Sequence, residues 1–124
     1  METSAKLLED SLLLIWNERN AERRLEVMKE IYAPEIAFYE SNNDEASTGY
    51  QAINDVISSL QAQWPLEFNF ELTGPGQVNH QIQHIAWTLG IPGQTPAASG
   101  MDVALIENHK IVSLFLFLNL PENQ

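Results

Sequence analysis

The 124-residue chain reads as one α+β domain spanning residues 1–124, in which a curved antiparallel sheet wraps around N-terminal helices and leaves a cone-shaped pocket. Three observations give that class. Apolar residues recur at helical spacing through the first half, and after Pro65 the pattern changes to period two. The last two strands, 103–106 and 111–118, are apolar at nearly every position, so both of their faces need cover.

The elements follow in order. Thr3 or Ser4 caps a first helix whose Leu7, Leu8, Ser11, Leu12, Ile15 and Trp16 share one face. Asn20 caps a second, with Leu25, Met28, Ile31 and Tyr32 inward and Glu22, Arg23, Glu26, Lys29 and Glu30 outward. Pro34 blocks its continuation. Residues 35–40 make a short strand with Ile36 and Phe38 on one face, and Glu40 falls on that same face at the strand end, a cavity-rim position. Residues 41–48 are polar and suit a flap. Gly49 opens a third helix, buried through Ile53, Val56, Ile57 and Leu60 and ended by Trp64-Pro65.

Phe68, Phe70 and Leu72 then alternate with polar residues in a half-solvated strand, and Gly74-Pro75-Gly76 turns the chain. Residues 77–89 read as one strand. Its two faces are Val78, His80, Ile82, His84 and Ala86 against Asn79, Gln81, Gln83, Ile85 and Trp87. A Gly- and Pro-rich loop, 90–99, precedes the two apolar strands, which Asn108-His109 joins. Leu114, Leu116 and Leu118 leave more apolar surface outside the sheet than a soluble monomer exposes, so a homodimer through the sheet is expected.

Composition narrows the function. With 17 acidic against 6 basic residues and a net charge of −11, no nucleic acid and no anionic membrane is expected as a partner. Without cysteine there is no disulfide, thiolate metal site or cysteine nucleophile. Residues 12–16 are too short and too poorly flanked for a signal peptide or a membrane span, which makes a soluble, cytoplasmic protein the expectation. Nucleophile motifs, phosphate loops and metal spacings are missing too, so neither a cofactor nor a metal is expected. His80 and His84, four apart on one strand, stand roughly 13 Å from each other, too far to share an ion. His109 falls in an exposed turn.

Asp102 is the lead on function. It opens an apolar strand, where an ionised carboxyl costs several kcal/mol unless its pKa rises or a ligand satisfies it. Glu40 is the second acid, through its periodicity with Ile36 and Phe38. His84 is a candidate proton carrier, and Trp16, Tyr32, Phe38, Trp87 and Phe117 are candidates to line the pocket, although aromatic residues also simply fill cores.

The stretches EIYAPEIAFYES, TGYQAINDVI, AWTLG and GMDVALIENHKIVSLFLFLN, in that order and spacing, resemble the SnoaL-like branch of the nuclear transport factor 2-like superfamily over nearly the whole chain. The resemblance implies its cystatin-like, ketosteroid isomerase-like fold. By analogy with ketosteroid isomerases, the base just past the first strand falls on Glu40, and the protonated acid of the oxyanion hole falls on Asp102. The tyrosine donor of the first helix falls near Trp16, whose indole donates one hydrogen bond but is no acid. What this implies is a small apolar, carbonyl-bearing ligand and acid/base chemistry of the isomerase or cyclase kind. The fold also carries non-catalytic dimeric binding and adaptor modules, and that is the alternative expectation.

Overall fold

The computed structural model describes residues 5–40 and 44–119. Thr3 and Ser4, expected to cap the first helix, and the first three residues of the expected flap lie outside them. Helix α1 (Lys6–Asp10) runs directly into a π-helical stretch, Ser11–Trp16. Leu8, Leu12, Ile15 and Trp16 are buried as their spacing requires. The amide of Leu8, an orphan donor of the first turn, is taken by the side chain of Gln83 at 3.0 Å. The wider turn has a visible effect, since Ser11 and Trp16, five residues apart, both bond the Tyr32 hydroxyl. In an α-helix such a pair points to different sides, whereas the i to i+5 repeat of a π-helix brings it together.

Helix α2 (Ala21–Ile31) begins on Asn20, whose side chain accepts from the Arg23 amide at 2.9 Å. Strand β1 (Tyr32–Glu40) follows without a loop and includes Pro34, so the proline ends no more than the helix and sits inside the strand. Short β2 (Ser47–Thr48) pairs with β1, Gly49 at φ 90° opens helix α3 (Tyr50–Gln61), and β3 (Asn69–Leu72) follows. The expected strand 77–89 is two strands. Strand β4 (Gln77–Asn79) and strand β5 (Ile82–Gly90) form a hairpin turned at His80-Gln81, with His80 at φ 54°. Strands β6 (Ala98–Glu107) and β7 (Lys110–Asn119) close the chain, joined at Asn108-His109 with both residues at positive φ, as a type I′ turn requires.

The sheet order is β2-β1-β7-β6-β5-β3, with β4 sharing the outer edge of β5. All pairings are antiparallel except β1 with β7, which run parallel. Register shifts in β1 and β6 mark irregularities of the kind that bend a sheet. The helices pack into the concave side, where Leu8, Met28, Ile53 and Ile57 meet Ile36, Ile85, Ile111 and Leu114. Leu114 is 1 % exposed, which overturns its expected place outside the sheet. Strand β7 has the opposite phase, turning Leu114 and Leu116 inward and leaving Phe115 and Phe117 outward. Among the described residues no helix is long and apolar enough to cross a membrane.

Between the helices lies Arg24, 1 % exposed, on the face expected to be apolar. Its guanidinium donates to Asn54 Oδ1 at 2.5 Å, to Gln61 Oε1 at 2.8 Å, to the Glu18 carbonyl at 2.6 Å and to Ser58 Oγ at 2.5 Å. Gln61 passes the link on by donating to the Trp16 carbonyl at 3.1 Å. One cation thereby ties α2 and α3 to the end of the π-helical stretch. Replacing it by an apolar side chain strands two buried amides. Arg24→Met is expected to lose about 2–4 kcal/mol of stability in urea unfolding; a loss under about 0.5 kcal/mol would show that the network contributes little.

Candidate functional site

The bent sheet and the helices enclose a hollow of about 320 Å³. Its helical side is Leu12 and Trp16 from the π-helical stretch, with Leu60 and Trp64 from α3 and the turn after it. Phe38 and Glu40 come from β1, Phe70 from β3, Trp87 and Leu89 from β5, Ala98 and Asp102 from β6, and Leu116 and Leu118 from β7. Leu118 is the exposed member of this lining, Glu40, Leu60, Trp64, Ala98 and Leu116 are half-buried, and Trp16, Trp87 and Asp102 are buried inside.

Register brings the two acids together. Asp102 lies opposite Leu116 across β6 and β7, and Leu116 lies opposite Glu40 across β7 and β1. The three therefore form one row on one face, with the outer two roughly 10 Å apart at the backbone, two strand spacings. A one-residue slip of either strand would send one acid to the other face.

A second cross-strand relation fixes the Asp102 carboxyl. Trp87 lies opposite Gly100, and a Cβ at Gly100 would stand 2.6 Å from the indole. Glycine lets the indole lie across the neighbouring backbone and reach the next inward residue, where its Nε1 donates to Asp102 Oδ1 at 3.1 Å. Asp102 is 8 % exposed. Loss of water pushes its pKa up to about 7 from 3.8, against the smaller opposing pull of the indole hydrogen bond. At neutral pH this carboxyl is poised between donor and acceptor.

The aromatic members hold one another at steep angles. Phe70 meets Trp16, Trp64 and Trp87 edge to face, at interplanar angles of 89°, 75° and 86°. Asn17 secures this wall, since its side-chain amide both donates to and accepts from the backbone of Phe70, at 3.1 Å and 2.7 Å.

Of the residues singled out from sequence, Glu40, Asp102, Trp16, Phe38 and Trp87 line the hollow. Tyr32, His84 and Phe117 do not. Tyr32 sits behind Trp16, fully buried, accepting from the indole N–H at 3.2 Å and meeting Ser11 Oγ at 2.6 Å. Burial outweighs both hydrogen bonds and pushes its phenol up to about 12, so it stays neutral. His84 faces outward, because β5 buries Gln83, Ile85, Trp87 and Leu89. Phe117 is 48 % exposed on the convex side. Sequence reasoning missed Phe70 and Leu116 as lining and Gly100 as the support for the indole. The alternation of Phe68, Phe70 and Leu72 carried the signal for Phe70. Among the described residues no group of three or more His, Asp and Glu is placed to hold a metal.

No family model and no curated protein matches the sequence. Solved structures do match the fold. A candidate isomerase of the SnoaL-like family from Agrobacterium tumefaciens superposes with a TM-score of 0.83 at 22 % identity, covering 97 % of this chain and 100 % of that one. A candidate SnoaL-like polyketide cyclase from Jannaschia gives 0.73 at 12 % identity, covering 92 % and 83 %. A protein with a ketosteroid isomerase-like fold from Catenulispora acidiphila, solved in complex with trimethylamine, gives 0.73 at 15 % identity, covering 95 % and 88 %. The chain has the fold of the nuclear transport factor 2-like proteins, in the form seen in SnoaL-like isomerases and cyclases.

The raised pKa of Asp102 carries a consequence for stability. Below about pH 4 the group is protonated in folded and unfolded chains alike. From there to about pH 7 only the unfolded chain releases the proton, so stability falls as pH rises, by an upper bound on the order of 4 kcal/mol. Asparagine keeps the acceptor for Trp87 and cannot ionise. Urea unfolding of Asp102→Asn is therefore expected to match the parent near pH 4 and to exceed it by about 2–4 kcal/mol at pH 8; an unchanged difference across that range would show that Asp102 does not titrate anomalously.

Proposed function

We propose that the chain binds a small apolar, carbonyl-bearing molecule in this hollow and moves a proton next to the carbonyl, as an isomerase or cyclase does. The carrying observation is the pair of carboxyls, Glu40 half-buried at the end of β1 and Asp102 buried, on one row of the concave sheet face. In this reading Glu40 removes the proton α to the carbonyl and returns it at another carbon or at the same one. Asp102, protonated, donates a hydrogen bond to the oxygen on which negative charge develops. Trp87 holds the carboxyl by its other oxygen and leaves the donor side toward the ligand. The indole of Trp16, spent on Tyr32, adds no second donor. The hollow is not filled by side chains, which speaks for a ligand over an adaptor with a closed core. That a structural neighbour was solved with trimethylamine supports small-molecule binding on this fold.

A bicyclic ketone such as 2-tetralone serves as probe, with exchange of its α-protons for deuterium followed by NMR. The parent is expected to accelerate exchange, Glu40→Gln to abolish the acceleration, and Asp102→Ala to lower it about 100-fold or more. Because the donor is lost on ionisation, the rate is expected to fall as pH rises through about 7. Exchange no faster than in buffer, or unaltered in Asp102→Ala, would refute the mechanism.

We also propose a homodimer formed through the convex face of the sheet. Tyr39, Phe115 and Val103 lie in one row across β1, β7 and β6, and Phe117, Met101 and Ala86 lie in the next across β7, β6 and β5. Tyr39 and Phe115 stack at 4.7 Å, and Tyr39, Phe115, Phe117 and Met101 are 36 to 48 % exposed. Neither row holds a carboxylate, in a chain with 17 acids, so this is a face where two copies meet with little charge repulsion. Light scattering is expected to give twice the chain mass for the parent and a shift toward monomer for Phe115→Glu; a monomeric parent at micromolar concentration would overturn the dimer.

A further inference from the structure

We infer that the same hollow accepts a hydrophobic organic cation, a quaternary or tertiary ammonium group on a small apolar body, as a ligand competing with the neutral one. This shares the hollow with the proposed reaction but does not depend on proton transfer. Among the described residues, the charged or titratable side chains in the lining are Glu40 and Asp102 alone, and no Lys, Arg or His balances them. Around them stand Trp16, Phe38, Phe70, Trp64 and Trp87, with Phe70 nearly perpendicular to three neighbouring rings. Rings set at steep angles surround a guest from several sides, and their faces attract a cation.

Asp102 supplies a second, independent reason. It is more than nine-tenths buried, lines the hollow and receives one protein hydrogen bond, from Trp87 to Oδ1. Its other oxygen has no protein donor among the described residues. When that carboxyl is ionised, a neutral carbonyl ligand offers it nothing and an anion is repelled, whereas an ammonium group offsets the buried charge. A quaternary ammonium is weakly hydrated and cheap to bring into an apolar space. The net charge of −11 draws cations toward the protein as a whole. A hollow of 320 Å³ has room for about ten water volumes, hence a ligand of about a dozen heavy atoms.

The groups facing Asp102 define the pH response. From β1 these are Glu40 and, behind Trp16, the phenol of Tyr32, which burial keeps neutral up to about 12. The residues that the π-helical stretch, α3 and the turn after it, β3, β5 and β7 contribute to the lining do not titrate, and His84 lies on the other side of β5. Cation binding is thus coupled to release of the Asp102 proton and strengthens as pH rises through about 7. The neutral-ligand reaction proposed above has the opposite sign, which separates the two.

Benzyltrimethylammonium and its uncharged carbon isostere neopentylbenzene are the probes, titrated against tryptophan fluorescence of the full chain at pH 6 and pH 8. The cation is expected to bind at least tenfold tighter than the isostere at pH 8 and to weaken about tenfold at pH 6, while the isostere is indifferent to pH. Asp102→Asn is expected to weaken the cation at least tenfold at pH 8 and Glu40→Gln several-fold, with neither weakening the isostere in this way. Equal affinity of the two probes at pH 8, or a preference for the cation that survives both substitutions, overturns the inference. If the ketone exchange still falls with rising pH in that case, the cation site alone is wrong; failure of all three probes to bind removes the hollow as a ligand site.

Discussion

A carboxyl held out of water governs this molecule. Asp102 is placed in the one stretch of the sheet where a charge is least welcome, and the surrounding atoms answer with a single indole hydrogen bond where an ionised group in water has several. No arginine or lysine is brought to it, although the chain owns a buried arginine a few elements away. The outcome is an acid whose protonation is undecided at neutral pH. Structural acids are usually paired or left in solvent, so an acid treated in this way is a candidate for chemistry or binding.

The rest of the architecture can be traced from that constraint. The indole reaches Asp102 only because residue 100 has no side chain. The indole is backed by Phe70, Phe70 is fastened by Asn17, and the π-helical stretch that Asn17 follows is fastened at Trp16 through Gln61 to Arg24. Polar groups of the core are thus used at helix ends and between helices, while the described lining of the hollow keeps two charged side chains, Glu40 and Asp102. The parallel pairing of β1 with β7 completes the arrangement by delivering Glu40 to the row of Asp102 from the other end of the sequence.

Much of this was legible beforehand, and most of the errors share a cause. Helices with clear apolar spacing, the Asn20 cap, the Gly49 start and the Asn108-His109 turn were readable because each rests on local chemistry. Glu40 and Asp102 were readable from the phase of short, cleanly alternating segments and from the cost of an acid in an apolar run. Strand phase was not readable where the pattern carries none. In β7, apolar at nearly every position, nothing in the sequence tells Leu114 from Phe115, and the two faces were interchanged. In 77–89 the two-residue turn at His80-Gln81 splits what looked like one strand, so no single alternation spans it, and His84 proved to be outside. Arg24 escaped notice because arginine on a helix is ordinarily solvated, and its partners Asn54, Ser58 and Gln61 lie at least 30 residues away.

The most direct test is the titration of one carbon. With aspartate carboxyl carbons labelled with carbon-13 and the Asp102 signal assigned by its absence in Asp102→Asn, its chemical shift followed from pH 3 to pH 9 reports protonation in the folded chain. A midpoint near 7 is the predicted result. A midpoint near 4 would mean that water or a cation reaches the group freely, and the hollow would then be neither an apolar donor site nor a place where charge is held in waiting.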